Sequence, residues 1–211
     1  MKKTKPTSPR VQRNREAATQ SILTAARAIM RAEGVAALSM QELARRMDMR
    51  APSLYNYFSS KAEIYDTLFR LGFTMFDAHI KELTQTSTGL HDELRIYIEG
   101  YMSFALENPD LYQLCFERPV PGFVPSKESL ALSFGILNQT YQRVEQFKKQ
   151  LNTSLTGQQI IDTVIAIAHG LTAMHLANEP HLPTGQGRFG SLIPIVLSIL
   201  EKAMPIKGEN K

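Results

Sequence analysis

Residues 38–61 constrain the fold of this chain more than any other segment, because they predict two short helices joined by a tight turn. Ser39 and Glu42 have the spacing of a capping box, which satisfies free N–H groups at a helix start. The helical spacing of apolar residues stops at residues 48–50, and Pro52 suits the first turn of a new helix, where its missing N–H costs nothing. This arrangement is the geometry that places a recognition helix in a DNA major groove.

Helices on either side of this segment are predicted to close a small core. Residues 17–33 carry an apolar stripe and precede Gly34, a natural helix terminator. Ser60 and Glu63 repeat the capping-box spacing and open a further helix. The apolar residues expected in the core of this three-helix unit are Ile22, Ile29, Leu43, Leu54 and Phe58.

The run from Ala17 to Phe69 resembles the N-terminal DNA-binding domain of the TetR family of bacterial transcriptional regulators. The segments that carry the resemblance are ILTAARAIMRAEGVAALSMQELARRMDM and SLYNYFSSKAEIYDTLF. Two positions depart from the family pattern: Asp48 stands where Gly is common, and Arg50 where Ser or Thr is common. We expect Asp48 to adopt an unusual backbone angle, as Asp can in turns.

The second helix of the motif is expected to read DNA bases. Helix-turn-helix proteins contact bases with residues near the start of that helix. Arg can pair bidentately with guanine and Asn with adenine, whereas small apolar residues offer contact with a thymine methyl group. The residues at these positions are Arg50, Ala51, Pro52, Ser53 and Asn56.

The resemblance to the TetR family implies further contacts with the DNA backbone of a double-stranded operator. The matching positions are Tyr55, Tyr57 and Lys61, with Thr24 and Ser39 as further candidates. Lys61 also lies at a predicted helix start, where N–H groups favour phosphate. For Tyr57 the alternative is packing against the first helix.

Positive charge is concentrated at the N-terminal end of the chain. Residues 1–66 contain 12 Lys and Arg against 6 Asp and Glu, a net charge of +6, whereas residues 67–211 contain 12 against 14, a net charge of −2. A basic end beside a faintly acidic body is typical of a DNA-binding head joined to another domain. Residues 1–16 are predicted to be a basic flexible arm, which either contacts DNA or is merely solvated.

The remaining chain is predicted to be helical throughout, which makes the fold class all-α. Proline-rich segments at residues 117–127 and 179–188 are predicted loops. The phrases YIEGYMSFALENPDLYQLCF and AIAHGLTAMHLA resemble the C-terminal half of the WHG-type subgroup of the TetR family. The expected organisation is an arm at 1–16, a helix-turn-helix domain at 17–61 and a helical ligand-binding and dimerisation domain at 62–211.

Residues 160–177 are apolar enough to raise the question of a membrane span. Asp162, His169 and His175 within that stretch predict instead a buried helix of a soluble protein. The single cysteine, Cys115, excludes an intramolecular disulfide and fits a reducing cytoplasm. Residues 1–16 show no signal-peptide pattern, so a cytoplasmic location is expected.

The C-terminal part is rich in aromatic residues, and an aromatic at helical spacing is most often part of a core. The TetR resemblance nevertheless implies a pocket for a small molecule among the middle helices. Buried tyrosines there need hydrogen-bond partners, which gives such a pocket a few polar groups. The residues assigned to the pocket are Phe73, Phe76, Tyr97, Tyr101, Met102, Phe104, Phe134, Tyr141 and Met174.

The last two long helices of each subunit are predicted to form a four-helix interface of a homodimer. Gly170 lies in mid-helix, where Gly costs about 1 kcal/mol relative to Ala, so a close helix contact is expected to offset that cost. The residues predicted at the interface are His169, Gly170, Leu192, Val196 and Leu200. The spacing of the histidines suits no metal site, and no cofactor is expected.

These patterns favour a homodimeric, ligand-responsive transcriptional regulator, a repressor released from a near-palindromic operator by a small apolar or aromatic effector. The alternative is a DNA-binding regulator or architectural protein without a small-molecule inducer, controlled by a protein partner. An enzyme is disfavoured, because no paired carboxylates, nucleophile–base pair or phosphate-binding loop has a useful spacing.

Overall fold

The computed structural model describes residues 8–87 and 89–208. Within these ranges the chain forms α-helices and no strand, apart from an isolated bridge between Leu151 and Ile206. The predicted all-α fold is therefore confirmed. The helices are α1 Pro9–Glu33, α2 Met40–Arg46, α3 Ala51–Leu54, α4 Lys61–Thr84, α5 Leu90–Glu107, α6 Pro109–Tyr112, α7 Lys127–Lys148, α8 Gly157–Asn178, α9 Gly187–Gly190 and α10 Ile193–Ala203. A 3-10 turn at Val35–Ala37 follows α1, and a π-helical turn at Gln113–Glu117 follows α6.

Helix α1 begins earlier than the sequence pattern indicated. Ser8 caps it by accepting a hydrogen bond from the Val11 N–H at 3.4 Å, and Pro9 is its first residue. The prediction of a flexible arm is therefore wrong for residues 9–16, while residues 1–7 of that arm lie outside the described residues. A serine cap followed by proline at the first helical position is a start signal in its own right. It was overlooked because no apolar stripe accompanies it.

The three-helix unit forms the core that the sequence predicted. Each of the five expected core residues is at most 4% exposed. Helix α1 ends at Gly34, whose φ of 92° is accessible to glycine. Asp48 has a φ of 51° in the turn between α2 and α3, which confirms the expected backbone angle.

Both predicted capping serines are confirmed. The Ser39 hydroxyl accepts from the Glu42 N–H and the Ser60 hydroxyl from the Glu63 N–H, each at 3.2 Å. In a complete capping box the glutamate side chain would also accept a hydrogen bond from the N–H of the capping serine, but Glu42 and Glu63 bind other partners. The Glu42 carboxylate binds the arginines of the next helical turn, and the Glu63 carboxylate accepts from the Ser59 N–H at 2.6 Å.

The body of the molecule is built around α4, which leaves the first three helices and runs between α5 and α7. Helix α8 packs against α5, α7 and α9, and α10 packs against α5. The chain does not run as one helix near its C-terminal end: α9 ends at Gly190 and α10 starts at Ile193. Pro194 then falls in the first turn of α10, the position where proline is tolerated.

Asp110 joins the three-helix unit of α1, α2 and α3, called the head below, to the body formed by the later helices. Its side chain is completely buried, and its two oxygens accept from Arg27 Nε at 2.6 Å and Arg31 Nε at 2.7 Å. Arg27 also donates to Asn108 Oδ1 at 2.9 Å, and Arg31 to the Glu107 carbonyl at 3.0 Å. Burial alone raises the pKa of Asp110, but hydrogen bonds from both arginines outweigh it and hold the pKa below its ordinary value.

Replacing Asp110 with Asn is expected to lower the free energy of unfolding by about 1.5–3 kcal/mol, the range for hydrogen bonds to charged groups. Because the pKa of Asp110 is lower in the folded than in the unfolded chain, this contribution is complete above about pH 3.9, the unfolded value. It is lost as the pH falls through the lowered folded value. Urea unfolding at decreasing pH should therefore show the two proteins converging. The exposed Asp162, replaced in the same way, is the control and should change little; a pH-independent difference for Asp110→Asn would contradict the ionised carboxylate.

Candidate DNA interface and effector cavity

The recognition segment, residues 50–57, consists of the short helix α3 and the turn that follows it. Arg50 precedes α3 in an extended conformation, with φ −76° and ψ 136°, and caps it without a side-chain hydrogen bond. The Ser53 N–H donates to the Arg50 carbonyl at 2.8 Å. Leu54 is completely buried and anchors the segment on the core.

The structure brings the predicted base-reading residues together on this segment. Arg50, Pro52 and Asn56 are exposed, whereas Ala51 and Ser53 are half-buried. Thus the two side chains with bidentate hydrogen-bonding groups are both open to a ligand. Their roles in base reading stay predictions.

The predicted phosphate-binding residues fall into two groups. Tyr55, 54% exposed, and Lys61, the exposed first residue of α4, flank the recognition segment. Tyr57 is half-buried, which fits partial packing as well as a contact through its hydroxyl. Thr24 lies on an exposed part of α1 and donates to the Gln20 carbonyl at 2.9 Å, and Ser39 caps α2, so neither belongs to the recognition segment.

One residue of this surface was missed from the sequence. Arg15, assigned to the flexible arm, lies in α1 and donates from Nη2 to the Asn56 carbonyl at 3.1 Å. Its guanidinium carbon is 6.0 Å from the centroid of the Tyr57 ring. The start signal at Ser8 and Pro9 was the clue that residues 9–16 are helical.

A cavity of about 260 Å³ lies between α4, α5, α7 and the π-helical turn. Of the nine residues predicted to form a pocket, five line it. These are Phe73, Phe76, Tyr97, Tyr101 and Phe134. The turn contributes Cys115 and Phe116.

A second cavity of about 460 Å³ lies beside the first and extends to the start of α8. The two cavities share one set of lining residues: Asp77, Ile80, Tyr97, Thr140 and Ile165. The two cavities adjoin along these residues and are together called the effector cleft below. Four of its charged residues form two pairs: Lys81 Nζ lies 2.7 Å from Asp77 Oδ2, and Arg143 donates to Glu93.

Four predicted pocket residues lie outside the effector cleft, and the prediction is wrong for them. Met102 is completely buried and Phe104 is 2% exposed, because both occupy core-facing positions of α5. Met174 is 47% exposed on the outer face of α8. Tyr141 lies beside Glu145, whose negative charge raises the pKa of the tyrosine. In each case the residue type was suitable, but its position around the helix was not.

Aromatic packing forms the wall of the first cavity. The Phe76 ring meets four neighbouring rings edge to face, with centroid distances of 5.3–6.3 Å. Edge-to-face packing is a favoured arrangement of aromatic pairs. The four neighbours are Tyr97, Tyr101, Phe104 and Phe116.

The tyrosine hydroxyls differ in their hydrogen bonding. Those of Tyr101 and Tyr112 converge on Nδ1 of His169, at 3.2 and 3.1 Å. The Tyr97 hydroxyl has no hydrogen-bond partner within residues 8–87 and 89–208. Burial raises the pKa of Tyr97, so its O–H stays protonated and is a free donor in the region shared by both cavities.

Helices α8 and α10 carry exposed apolar side chains, which form the outer face of the body. Met174, Ile195 and Ile199 are 47%, 56% and 58% exposed, and a Cβ atom added at Gly170 would meet no atom within 4 Å. By length and composition, α8 is also apolar enough to cross a membrane. Of its most apolar stretch, 33% is buried inside the subunit. The core helix of a soluble protein passes the same test.

Two predicted interface residues point into the subunit. Leu200 is 3% exposed, and His169 is bound to the two tyrosines of the body. Helix α10 is amphipathic, so residues 195 and 199 face outwards and residue 200 faces the core. Leu200 is therefore closed to a partner subunit, whereas the interface role of the half-buried His169 stays a prediction. Leu192 and Val196 are half-buried at the edge of the outer face.

The structure has the arrangement of a helix-turn-helix head joined to a helical body that contains a cleft. Residues 22–68 match the family model described as bacterial regulatory proteins, tetR family. The HTH-type transcriptional activator FasR of Mycolicibacterium smegmatis is 29% identical over 97 residues, which are 46% of this chain and 44% of FasR. The chain thus spans about half the length of this curated relative.

Solved structures show the same fold at low identity. A protein of unknown function from Rhodococcus sp. RHA1 has a TM-score of 0.73 at 17% identity, covering 88% of this chain and 94% of that one. The regulator FadR of Bacillus subtilis, solved in complex with stearoyl-CoA, has a TM-score of 0.65 at 14% identity, covering 87% and 98%. Residues 22–68 therefore carry a domain of the tetR family of bacterial regulatory proteins, and the solved structures show that the chain as a whole shares their fold.

Proposed function

We propose that this protein is a homodimeric repressor that leaves a near-palindromic operator when an elongated, mainly apolar effector enters its cleft. The observation that carries the proposal is the position of the cleft. Its wall includes the π-helical turn that directly follows α6, and α6 holds the head through Asp110.

Each head reads one half-site through the recognition segment. Asn56 and Arg50 contact bases, while Tyr55, Tyr57 and Lys61 contact phosphates. Two heads must lie about 34–36 Å apart to reach successive major grooves on one face of DNA. The head ends within α4, because the Tyr65 hydroxyl donates to the Val35 carbonyl at 2.6 Å and ties the first turns of α4 to the head.

The two subunits meet through the outer face of α8 and α10. An exposed apolar patch of this kind usually marks an interface. Gly170 lets a partner helix approach closely, and Ile195 and Ile199 bury their side chains against the partner. Leu192 and Val196 contribute from the edge of the face.

The shape and chemistry of the cleft define the class of effector. Two adjoining cavities with aromatic and aliphatic walls suit a long apolar molecule that extends through both of them. The free Tyr97 O–H at the shared region requires a hydrogen-bond acceptor, such as a carbonyl oxygen, part-way along that molecule. FadR, which has the same fold, was solved with stearoyl-CoA, so this fold accommodates a ligand with a long acyl chain.

Effector entry reaches the head by two routes. Phe116 lines the cleft, and a shift of its turn moves α6 and the carboxylate of Asp110 that holds Arg27 and Arg31. Phe69 and Phe73 also line the cleft and lie on α4, which enters the head. A coupling of about 1–3 kcal/mol weakens operator binding about 5- to 150-fold.

Lys61→Ala should weaken binding to all DNA sequences and lower the slope of log affinity against log salt by about 1, because one phosphate contact is lost. Lys127 is the matched control, since it is likewise the exposed first residue of a long helix, α7. Binding to duplexes selected from a random library should be titrated with salt. An unchanged slope for Lys61→Ala would remove Lys61 from the interface.

Gly170→Leu should overpack the subunit interface at a typical cost of about 1–3 kcal/mol and thus raise the fraction of monomer. The matched control is Gly135→Leu, because Gly135 is also an exposed helical glycine with open space around its Cβ position. Sedimentation velocity measures the monomer fraction, and operator binding should weaken in parallel. A Gly170→Leu protein as dimeric as Gly135→Leu would place the interface elsewhere.

Tyr97→Phe should weaken binding of an acceptor-bearing ligand without emptying the cleft. One net hydrogen bond is worth about 0.5–1.5 kcal/mol, or about 2- to 12-fold in affinity. The measurement is displacement of the fluorescent probe N-phenyl-1-naphthylamine by methyl decanoate, whose ester carbonyl is the acceptor. Tyr141→Phe, outside the cleft, is the control. Probe binding that no variant alters and no ester displaces would favour the alternative regulator without a small-molecule inducer.

A further inference from the structure

The N-terminal turns of α1 lie beside the recognition segment, and Arg15 makes the contact. Its Nη2 atom donates to the Asn56 carbonyl at 3.1 Å, and its guanidinium carbon lies 6.0 Å from the centroid of the Tyr57 ring. One side chain thus touches two consecutive residues of the segment. Both distances are within the ranges expected for a hydrogen bond and a cation–π contact.

The chain leaves the helical pattern at Asn56, so its carbonyl accepts no helical hydrogen bond. The Asn56 N–H donates to the Ser53 carbonyl at 3.3 Å and the Tyr57 N–H to the Leu54 carbonyl at 2.9 Å, which closes a tight turn. No backbone N–H in the described part of the chain donates to the Asn56 carbonyl. Arg15 supplies the missing donor and fixes the peptide that carries the Asn56 side chain.

We propose that Arg15 is a positioning residue for sequence-specific DNA binding. It holds the Asn56 peptide and the Tyr57 ring in the orientation in which Asn56 reads a base and Tyr57 meets the adjacent phosphate. The inference rests on the proposed DNA-reading role of Asn56. Only one nitrogen of the guanidinium is engaged with the carbonyl, so its other N–H groups stay open to a phosphate beside Tyr57.

Arg13 provides a matched control within the same helix. It carries the same charge, is exposed, and has no ion pair among the residues described. Two residues correspond to about 200° of helical rotation, so Arg13 projects to a different side of α1 from Arg15. Loss of charge alone should therefore affect the two variants alike, whereas loss of positioning should affect only Arg15→Ala.

The test is binding selection from a random duplex library with the full-length protein and its Arg15→Ala, Arg15→Lys and Arg13→Ala variants. Arg15→Ala should lower the ratio of specific to non-specific affinity about 5-fold or more, the loss expected when a base contact is misplaced. The half-site position read by Asn56 should be the one relaxed. Arg15→Lys should recover most of the preference, because lysine keeps a donor for the carbonyl and a cation near the ring. Arg13→Ala should keep the preference, and all variants should keep the melting temperature.

Three results would overturn the inference. These are an unchanged preference in Arg15→Ala, an equal loss in Arg13→Ala, and no recovery by Arg15→Lys in a folded protein. If the proposed function itself is wrong, the unsubstituted protein will enrich no DNA sequence at all. Enrichment by the unsubstituted protein together with any of the three results overturns the role of Arg15 alone.

Discussion

A buried carboxylate holds the two parts of this protein in one arrangement. Removing a charge from water is costly unless it is paired and hydrogen-bonded, and Asp110 meets that requirement only with both Arg27 and Arg31 in place. The two arginines belong to the first helix of the head, whereas the carboxylate belongs to the body. Any rotation of the head that breaks these bonds leaves a charge without partners inside the protein. The head therefore has few permitted orientations, which is the property a two-state regulator requires.

The same link lies close to the cleft. Asp110 lies five positions before Cys115, and the π-helical turn Gln113–Glu117, which contains Cys115, replaces the regular helical ladder. Such turns often occur at functional sites. The effector cleft and the head are consequently joined through a short, irregular piece of chain and through the continuous helix α4. In the proposed function, a displacement at Phe116 or Phe73 would reach the head through these elements.

Local patterns in the sequence were sufficient for the head. The serine caps and the glycine that ends α1 depend on neighbours within a few residues, so spacing alone predicted them. The left-handed backbone of Asp48 was predicted from the resemblance to the TetR family. The cleft was predicted only in part, because the exact rotation of α5 and α7 decides whether a residue such as Met102 or Tyr97 faces it. Contacts between distant residues were not predictable. Arg15 and Asn56 are 41 residues apart and Arg27 and Asp110 are 83 apart, and no local pattern pairs them.

The bond from Arg15 ends on a main-chain oxygen, and this choice of acceptor has an evolutionary consequence. A carbonyl is present whatever amino acid occupies position 56, so the hydrogen bond from Arg15 survives a change of the side chain that we propose reads a base. Related regulators could exchange that residue and acquire a new operator in a single step, without rebuilding the support beneath it. The sequence positions that maintain the fold would then change slowly during evolution, whereas the residue at position 56 could change quickly.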